Sequence, residues 1–368
     1  MTISMRTRKN TFKRSGVALL IVLFIVMAIT ITALGFVARS DTEMLCGQNM
    51  VLRRQMDYLA ESGLEHARGL LLNPQDVGSE YWTGGPEFRL EPGSNAYYDV
   101  TVRNITDHCT YIIDCNSYRT NGMETARWAS LRAELRLDPC VAYWVNSSTI
   151  VSSNMNITGD VRSNGDLTNG GTIDGDVFAT NLGGANPPSG QLKAVSEAGV
   201  SWPNLSVADL GPMDKSIDPN SPLSSVNYDG VCYSIDDVNM AGNVTINGTL
   251  IVGNNLIVSG PNNVIVAVKN FPALLVSGQV IMEGSGSLTI QGLAQIAGPI
   301  TVGANPTSPR LDVTGALFVW TDGVDSNLIS VSVIAAPEIA SIEVSPGGVS
   351  RKWGPAAGAF FKSIERVP

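Results

Sequence analysis

The sequence predicts an α+β part followed by an all-β part. A long N-terminal transmembrane helix packs on a small antiparallel sheet, and a single-stranded parallel β-helix follows. Three observations carry this reading. Residues 17–38 contain no charged side chain. Residues 96–137 hold three strand-like runs. Beyond residue 140, pairs of apolar residues bounded by Gly or Asn recur down the chain.

The apolar segment comes first. Residues 17–38 read VALLIVLFIVMAITITALGFVA. At ~1.5 Å per residue a helix of this length covers roughly 33 Å, enough to cross the hydrocarbon core of a bilayer. Leu, Ile and Val fall on every face, so no side is left for water. Five basic residues precede it (Arg6, Arg8, Lys9, Lys13, Arg14) and no acid. The formal net charge of the 368-residue chain is −9, so the body after Gly16 is strongly acidic. A basic head retained in the cytoplasm places residues 39–368 outside it. An acidic chain of this kind is not a nucleic-acid binder. A secretory signal peptide fits less well, because the Ala38-Arg39-Ser40 exit runs into charge.

The helix continues as residues 39–73. Leu52, Met56, Leu59, Gly63, Ala67 and Leu70 are spaced to share one stripe, which needs a sheet to cover. Asn73-Pro74 ends the helix, since the residue before Pro is driven out of the α region. His66 reads as a surface residue of this helix, because no second His or Cys lies within helical reach.

Residues 96–105, 111–119 and 126–137 read as strands. In the first, Tyr98, Val100 and Val102 share one face. Asn121-Gly122 signals a turn between the last two. These strands form a small sheet over residues 96–138.

Residues 140–345 carry the repeat. Met155, Val161, Leu167 and Ile173 are six apart. Later pairs include Val244/Ile246, Leu250/Val252, Leu256/Val258, Val264/Val266, Leu288/Ile290 and Leu317/Val319. Three pairs make a turn, with turns beginning near 244, 264, 288 and 311. Each coil buries its few apolar side chains only against its neighbours. Residues 181–230 interrupt the rhythm and read as an insertion, with a short helix near Ala194. Residues 346–368 read as a cap over the open coil end.

The residues for catalysis are sparse. The only histidines are His66 and His108, and no P-loop or zinc spacing occurs. Asp160, Asp166, Asp174 and Asp176 lie in the first coils with Arg162 as the only nearby base. Asp beside Gly is ordinary turn chemistry, so no catalytic residue, metal or cofactor is assigned. The cysteines are Cys46, Cys109, Cys115, Cys140 and Cys232. Outside the cytoplasm, Cys109 and Cys115 are the disulfide candidates, and the odd count leaves at least one thiol over.

Lys13-Arg14-Ser15-Gly16, followed at once by the apolar run, resembles the prepilin leader of type IV pilins and type II secretion pseudopilins. Residues 58–67 (YLAESGLEHA) resemble the signature of minor pilins of the PilX type. The resemblance covers about residues 9–137. It implies a leader over residues 1–16, cleaved between Gly16 and Val17 by a prepilin peptidase, with Val17 N-methylated. It implies a head of long helix and antiparallel meander. It also implies a non-enzymatic filament component in the inner membrane, possessing other pilins or pseudopilins as partners and located sparsely or at the tip. One departure is Ile21, which stands at the fifth mature position where major pilins carry Glu; some minor members lack that Glu. The alternative reading is a single-pass envelope protein whose β-helix binds surface polysaccharide.

Overall fold

The structure, a computed structural model, describes residues 15–72, 82–105, 109–121, 124–203, 205, 210, 213–268, 271–336, 342–344, 351–353 and 359–367. Most of the leader, the Asn73-Pro74 stop, the Gly122 turn and His108 lie outside these residues. The chain divides into two units, Met1–Tyr58 and Leu59–Pro368. Helix α1 spans Ser15–Leu72, so its last residues belong to the second unit.

In the first unit α1 is long and apolar enough to cross a membrane. Its apolar residues are exposed, Leu19 by 75% and Phe36 by 70%. Thr30 and Thr32 donate their hydroxyls to the Val26 and Ala28 carbonyls, at 2.7 and 2.6 Å. Both polar groups are thereby satisfied within the helix, as hydrocarbon surroundings require.

The second unit opens with residues 59–72 and a five-stranded antiparallel sheet. Strands β1 (Gly84–Phe88), β2 (Ala96–Asn104), β3 (Thr110–Asn121) and β4 (Glu124–Leu137) pair in chain order. The expected three runs are β2, β3 and β4, and β1 is additional. Tyr98, Val100 and Val102 share the buried face of β2. The helix buries Leu59, Ala60, Leu64, Ala67 and Leu71, so the stripe ends on Leu71 rather than Leu70.

The fifth strand is Ala359–Arg366, which pairs along β4 from Leu137 to Leu131. The C-terminal residues therefore complete the head sheet rather than cap the solenoid. The physical reason is edge pairing: without them β4 would present a long unpaired edge. A separate hairpin pairs Ile342–Val344 with Arg351–Trp353.

The rest is a parallel β-solenoid of about nine turns. A coil has three walls. In one, residues 287–291 form the first wall, the chain turns at Gly292 into a second wall over residues 293–296, and Ile300–Val302 forms the third. Gly230 stacks on Gly248, and Gly292 on Gly315, all at positive φ. A Cβ on Gly248 would sit 1.9 Å from the Gly230 carbonyl oxygen, so this corner admits only glycine. Val244, Ile246, Leu250, Val252, Leu256 and Val258 are all fully buried.

One pair is out of register with the sequence reading. Asn263 and Ile265 point into the coil, and Val264 and Val266 are only half-buried. Asn262 adopts φ 58° after Pro261, and the Asn263 side-chain NH2 donates to the Gly260 and Ser287 carbonyls at 2.6 and 3.1 Å, while its Oδ1 is buried with no partner among the described residues. A hydrogen-bonded Asn thus takes an apolar position.

Stacking order departs from chain order. Residues 141–193 build outward from the middle of the stack to one tip. The chain then resumes at the opposite tip with Lys215–Ser216 and builds back towards the middle. There, Arg310–Val319 pairs with both Ser330–Ala335 and Val141–Val145, and Ser330–Ala335 pairs with Met155–Thr158. One central coil therefore takes its first wall from residues 330–335 and its second from residues 141–145. The stack is continuous in space and broken in the chain. Both loose ends lie at that break and lead to neighbouring head strands, β4 and Ala359–Arg366.

This overturns the reading of residues 181–230 as one insertion. Leu182–Gly184, Leu192–Lys193, Lys215–Ser216 and the start of Asn227–Ser234 are regular wall strands. Among the described residues, 194–203, 205, 210 and 213–214 lie outside the wall strands between these, beginning with the 3-10 turn Val195–Ala198. The terminal strands are short, and Pro187, Pro188, Pro219 and Pro222 lie in the connections at the two tips. Proline offers no N–H, which discourages further strands from adding there.

Candidate functional site

Gly16 and Val17 fall in the first turn of α1. Val17 is 65% exposed and Ile21 53%, so the candidate processing residues open an uncovered apolar surface. Arg39 and Glu43 pair at 2.9 Å where that surface ends.

Within the second unit, residues 59–72 meet the sheet at Gly63. A Cβ there would lie 2.3 Å from Cys115 Sγ and 2.8 Å from the Tyr98 ring. Small size at this position lets helix and sheet approach closely. His66 is half-buried beside it, hydrogen-bonded through Nδ1 to the Tyr98 hydroxyl at 3.1 Å and edge-on to Phe88 at 5.0 Å. It is a packed residue, not a free surface one. Trp82 and Phe88, which enclose it, belong to a segment without strand signals in the sequence.

The disulfide joins Cys109 to Cys140, with Cα atoms 6.0 Å apart; Cys115 is free and buried. The Cys109–Cys115 pairing fails because both residues lie on or beside one extended strand. At ~3.4 Å per residue they are roughly 20 Å apart, beyond the reach of a bridge. Cys140 is brought close because the Leu137 N–H donates to the Cys109 carbonyl at 2.9 Å. Burial pushes the Cys115 thiol up to about 12, with the Asp99 charge adding to the effect, so it is unreactive.

Next to the disulfide lies a charged cluster. Asp160 is fully buried and accepts the Cys140 and Asp176 backbone N–H groups at 2.6 and 2.8 Å, with Arg136 at 3.4 Å. Burial pushes its carboxyl up to about 6, against those donors. Asp176 accepts the Gln191 N–H at 2.7 Å and pairs with Lys193 at 2.6 Å. Burial raises Asp176, but Lys193 and the Gln191 amide outweigh it and hold the carboxyl below its ordinary value. Lys193 also reaches Asp138 at 3.3 Å. Asp166 accepts from Asn181 at 2.8 Å and Asp174 from Ser189 at 2.7 Å. The four aspartates therefore tie successive coils together, and Arg136 and Asp138 tie them to the end of β4.

Arg162 lies 3.9 Å over the Trp144 ring and donates to the Val200 carbonyl. It helps to hold the segment around Val200 against the solenoid's second wall. There Val200, Trp202 and Leu205 pack on Trp144, Leu293 and Phe318, and Leu210 and Met213 pack on Val231, Ile251 and Leu275. This covering segment was hidden in the sequence by its Pro, Ser and Gly content; Trp202 and the apolar residues around it were the only signal.

No protein-family model matches the sequence, and no curated protein matches it. Among solved structures the chain is similar to the competence-associated pilin ComZ from Thermus thermophilus, at 12% identity and a TM-score of 0.27, over 86% of this chain and 97% of that one. A likeness this slight assigns no family.

Proposed function

We propose that the protein is a non-enzymatic, pilin-like minor subunit of a type IV pilus or type II secretion filament, held in the inner membrane by α1 and displaying the solenoid outside the cytoplasm. The observation that carries this reading is the start of α1. The helix starts at Ser15, and its uncharged, uncovered run begins directly after Gly16, behind a basic leader. A plain anchor has no need of that abrupt junction. Basic residues before the span favour the cytoplasm for the leader.

In this reading a prepilin peptidase cleaves between Gly16 and Val17, Val17 is methylated, and other pilins or pseudopilins pack against the apolar helix. Ile21 restricts where the subunit docks. In a lipid-like filament core, a Glu near the start of one helix offsets a buried terminal amine by pairing with it. Ile21 offers no such partner, which favours a tip or sparse position over the main shaft.

Co-expression with a prepilin peptidase tests this. The expected result is loss of sixteen residues, a methylated Val17 and an uncleaved Gly16→Leu variant. A mature N-terminus near Ser40 would overturn the reading. Subunit counting in purified filaments tests the position, and a stoichiometry equal to that of the main pilin would overturn the tip assignment.

A further inference from the structure

The corner between the second and third walls carries one exposed row along the stack. Adjacent rungs pair Val252 with Val276, Val276 with Ile296, Ile296 with Val319, Val319 with Val145, and Val145 with Ser163. The next residue on each rung is Gly253, Ser277, Ala297, Trp320, Asn146 and Asn164 in turn. The backbone N–H of each of these donates to the preceding rung. All are exposed except Asn146, which is half-buried.

Trp320 is the one large side chain among these six. It is 46% exposed and held edge-on against Trp202, with ring centroids 5.1 Å apart at 85°. Trp202 in turn packs against Phe318 at 5.4 Å and Trp144 at 5.1 Å. The exposed indole thus stands on a fixed aromatic block and loses little freedom when something stacks on it. On one side the next rungs carry only Ala297, Ser277 and Gly253, so the row there is lined by small exposed residues. On the other side the Asn164 amide donates to Asn146 Oδ1, and Asn164 Oδ1 accepts from Trp144 Nε1 at 3.3 Å and Arg162 Nε at 3.2 Å.

We propose that this row is a binding strip for a neutral glycan, with a sugar ring stacked on Trp320 and its hydroxyls meeting the Asn146–Asn164 amides. The apolar C–H face of a sugar ring suits the negative face of an indole. Amides offer both donors and acceptors, which matches hydroxyl groups. The small residues on one side of Trp320 leave its ring unobstructed by large side chains of the row. The net charge of −9 disfavours nucleic acids and acidic glycans as occupants. This strip does not depend on leader cleavage.

The test uses the full chain in a detergent without a sugar head group. Cellotetraose, maltotetraose and N-acetylchitotetraose are titrated while tryptophan fluorescence and heat are recorded. At least one is expected to bind and to alter the fluorescence. Trp320→Ala should weaken binding about tenfold, the scale of one lost aromatic contact, and Trp320→Tyr should retain most of it. Ala297→Leu places a bulky side chain on the rung beside Trp320 while leaving Trp202, Trp144 and Phe318 unchanged, and it should also weaken binding, so it decides the matter if Trp320→Ala fails to fold. Absence of binding by all three sugars at millimolar concentrations would overturn the proposal. So would sugar binding that both variants retain, or binding to phosphatidylglycerol vesicles alone that Trp320→Ala abolishes.

Discussion

Cys109 and Cys140 are joined where the head sheet hands the chain to the solenoid. The bridge closes a loop containing all of β3 and β4, with a sequence separation of 31. A loop of this length gives a stabilisation of about 3–4 kcal/mol in the chain-entropy account.

Replacing either partner by Ser is therefore expected to lower stability by about 3 kcal/mol, measured as a shift of the chemical unfolding midpoint. Cys115→Ala should leave the bridge intact. Peptide mapping that finds Cys109 linked to Cys115 would contradict the structure.

Asp160 gives stability a pH dependence of definite sign. Its folded value is raised from 3.8 to about 6, so the folded protein binds more protons than the unfolded chain between those values. Its contribution is complete below about pH 4 and is lost as pH rises through about 6, on the order of 3 kcal/mol. Asp114 and Asp176 are held below their ordinary value, so their contribution is lost in a lower window, as pH falls below about 4. Melting curves from pH 3 to 8 should show both limbs. Asp160→Asn should flatten the upper limb and leave the acid limb; an unchanged upper limb would refute the assignment.

Gly63 is set by the space beneath it. Gly63→Ala forces a Cβ against Cys115 Sγ and Tyr98, and overpacking of this kind costs about 1–3 kcal/mol. Adding Cys115→Ala should recover part of the loss. Independent, additive losses in a double-mutant cycle would show that the two residues do not touch.

The register of the coil at residues 263–266 separates neighbouring residues. Ile265 is fully buried, whereas Val266 faces outward. Ile265→Asp should cost several kcal/mol, because it leaves an unpaired charge inside. Val266→Asp should cost about 1 kcal/mol or less. Leu288, 1% exposed, should behave like Ile265. Equal melting shifts for Ile265→Asp and Val266→Asp would break the register.

Much of this architecture was legible because its signals are local. An uncharged run, alternation at Tyr98, Val100 and Val102, and apolar pairs between glycines each report their own segment. The parts that were not legible depend on long-range pairing. Nothing in residues 359–366 says that they lie against β4, and nothing near Val141 says that its neighbour is Leu317–Val319. Asn263 reads as a turn residue because one of its acceptors, the Ser287 carbonyl, is supplied only when coils stack. Cys140 finds Cys109 through the strand pairing that brings Leu137 to it. Trp320 carries no signal of its own, because its row is assembled from rungs far apart in the chain.

The detour in chain order makes residues 194–214 a ruler. The chain leaves one tip at Lys193 and returns at the other at Lys215, while Val200, Trp202, Leu205, Leu210 and Met213 pack on the second wall. About nine turns at ~4.8 Å per rung make a path of roughly 40 Å. Adding one coil at either tip would lengthen that path by ~4.8 Å, which the segment has to cover by straightening or by one or two further residues at ~3.3 Å each. A simple solenoid can grow by duplicating a repeat alone; here, every added coil must also be spanned by the segment that joins the two tips.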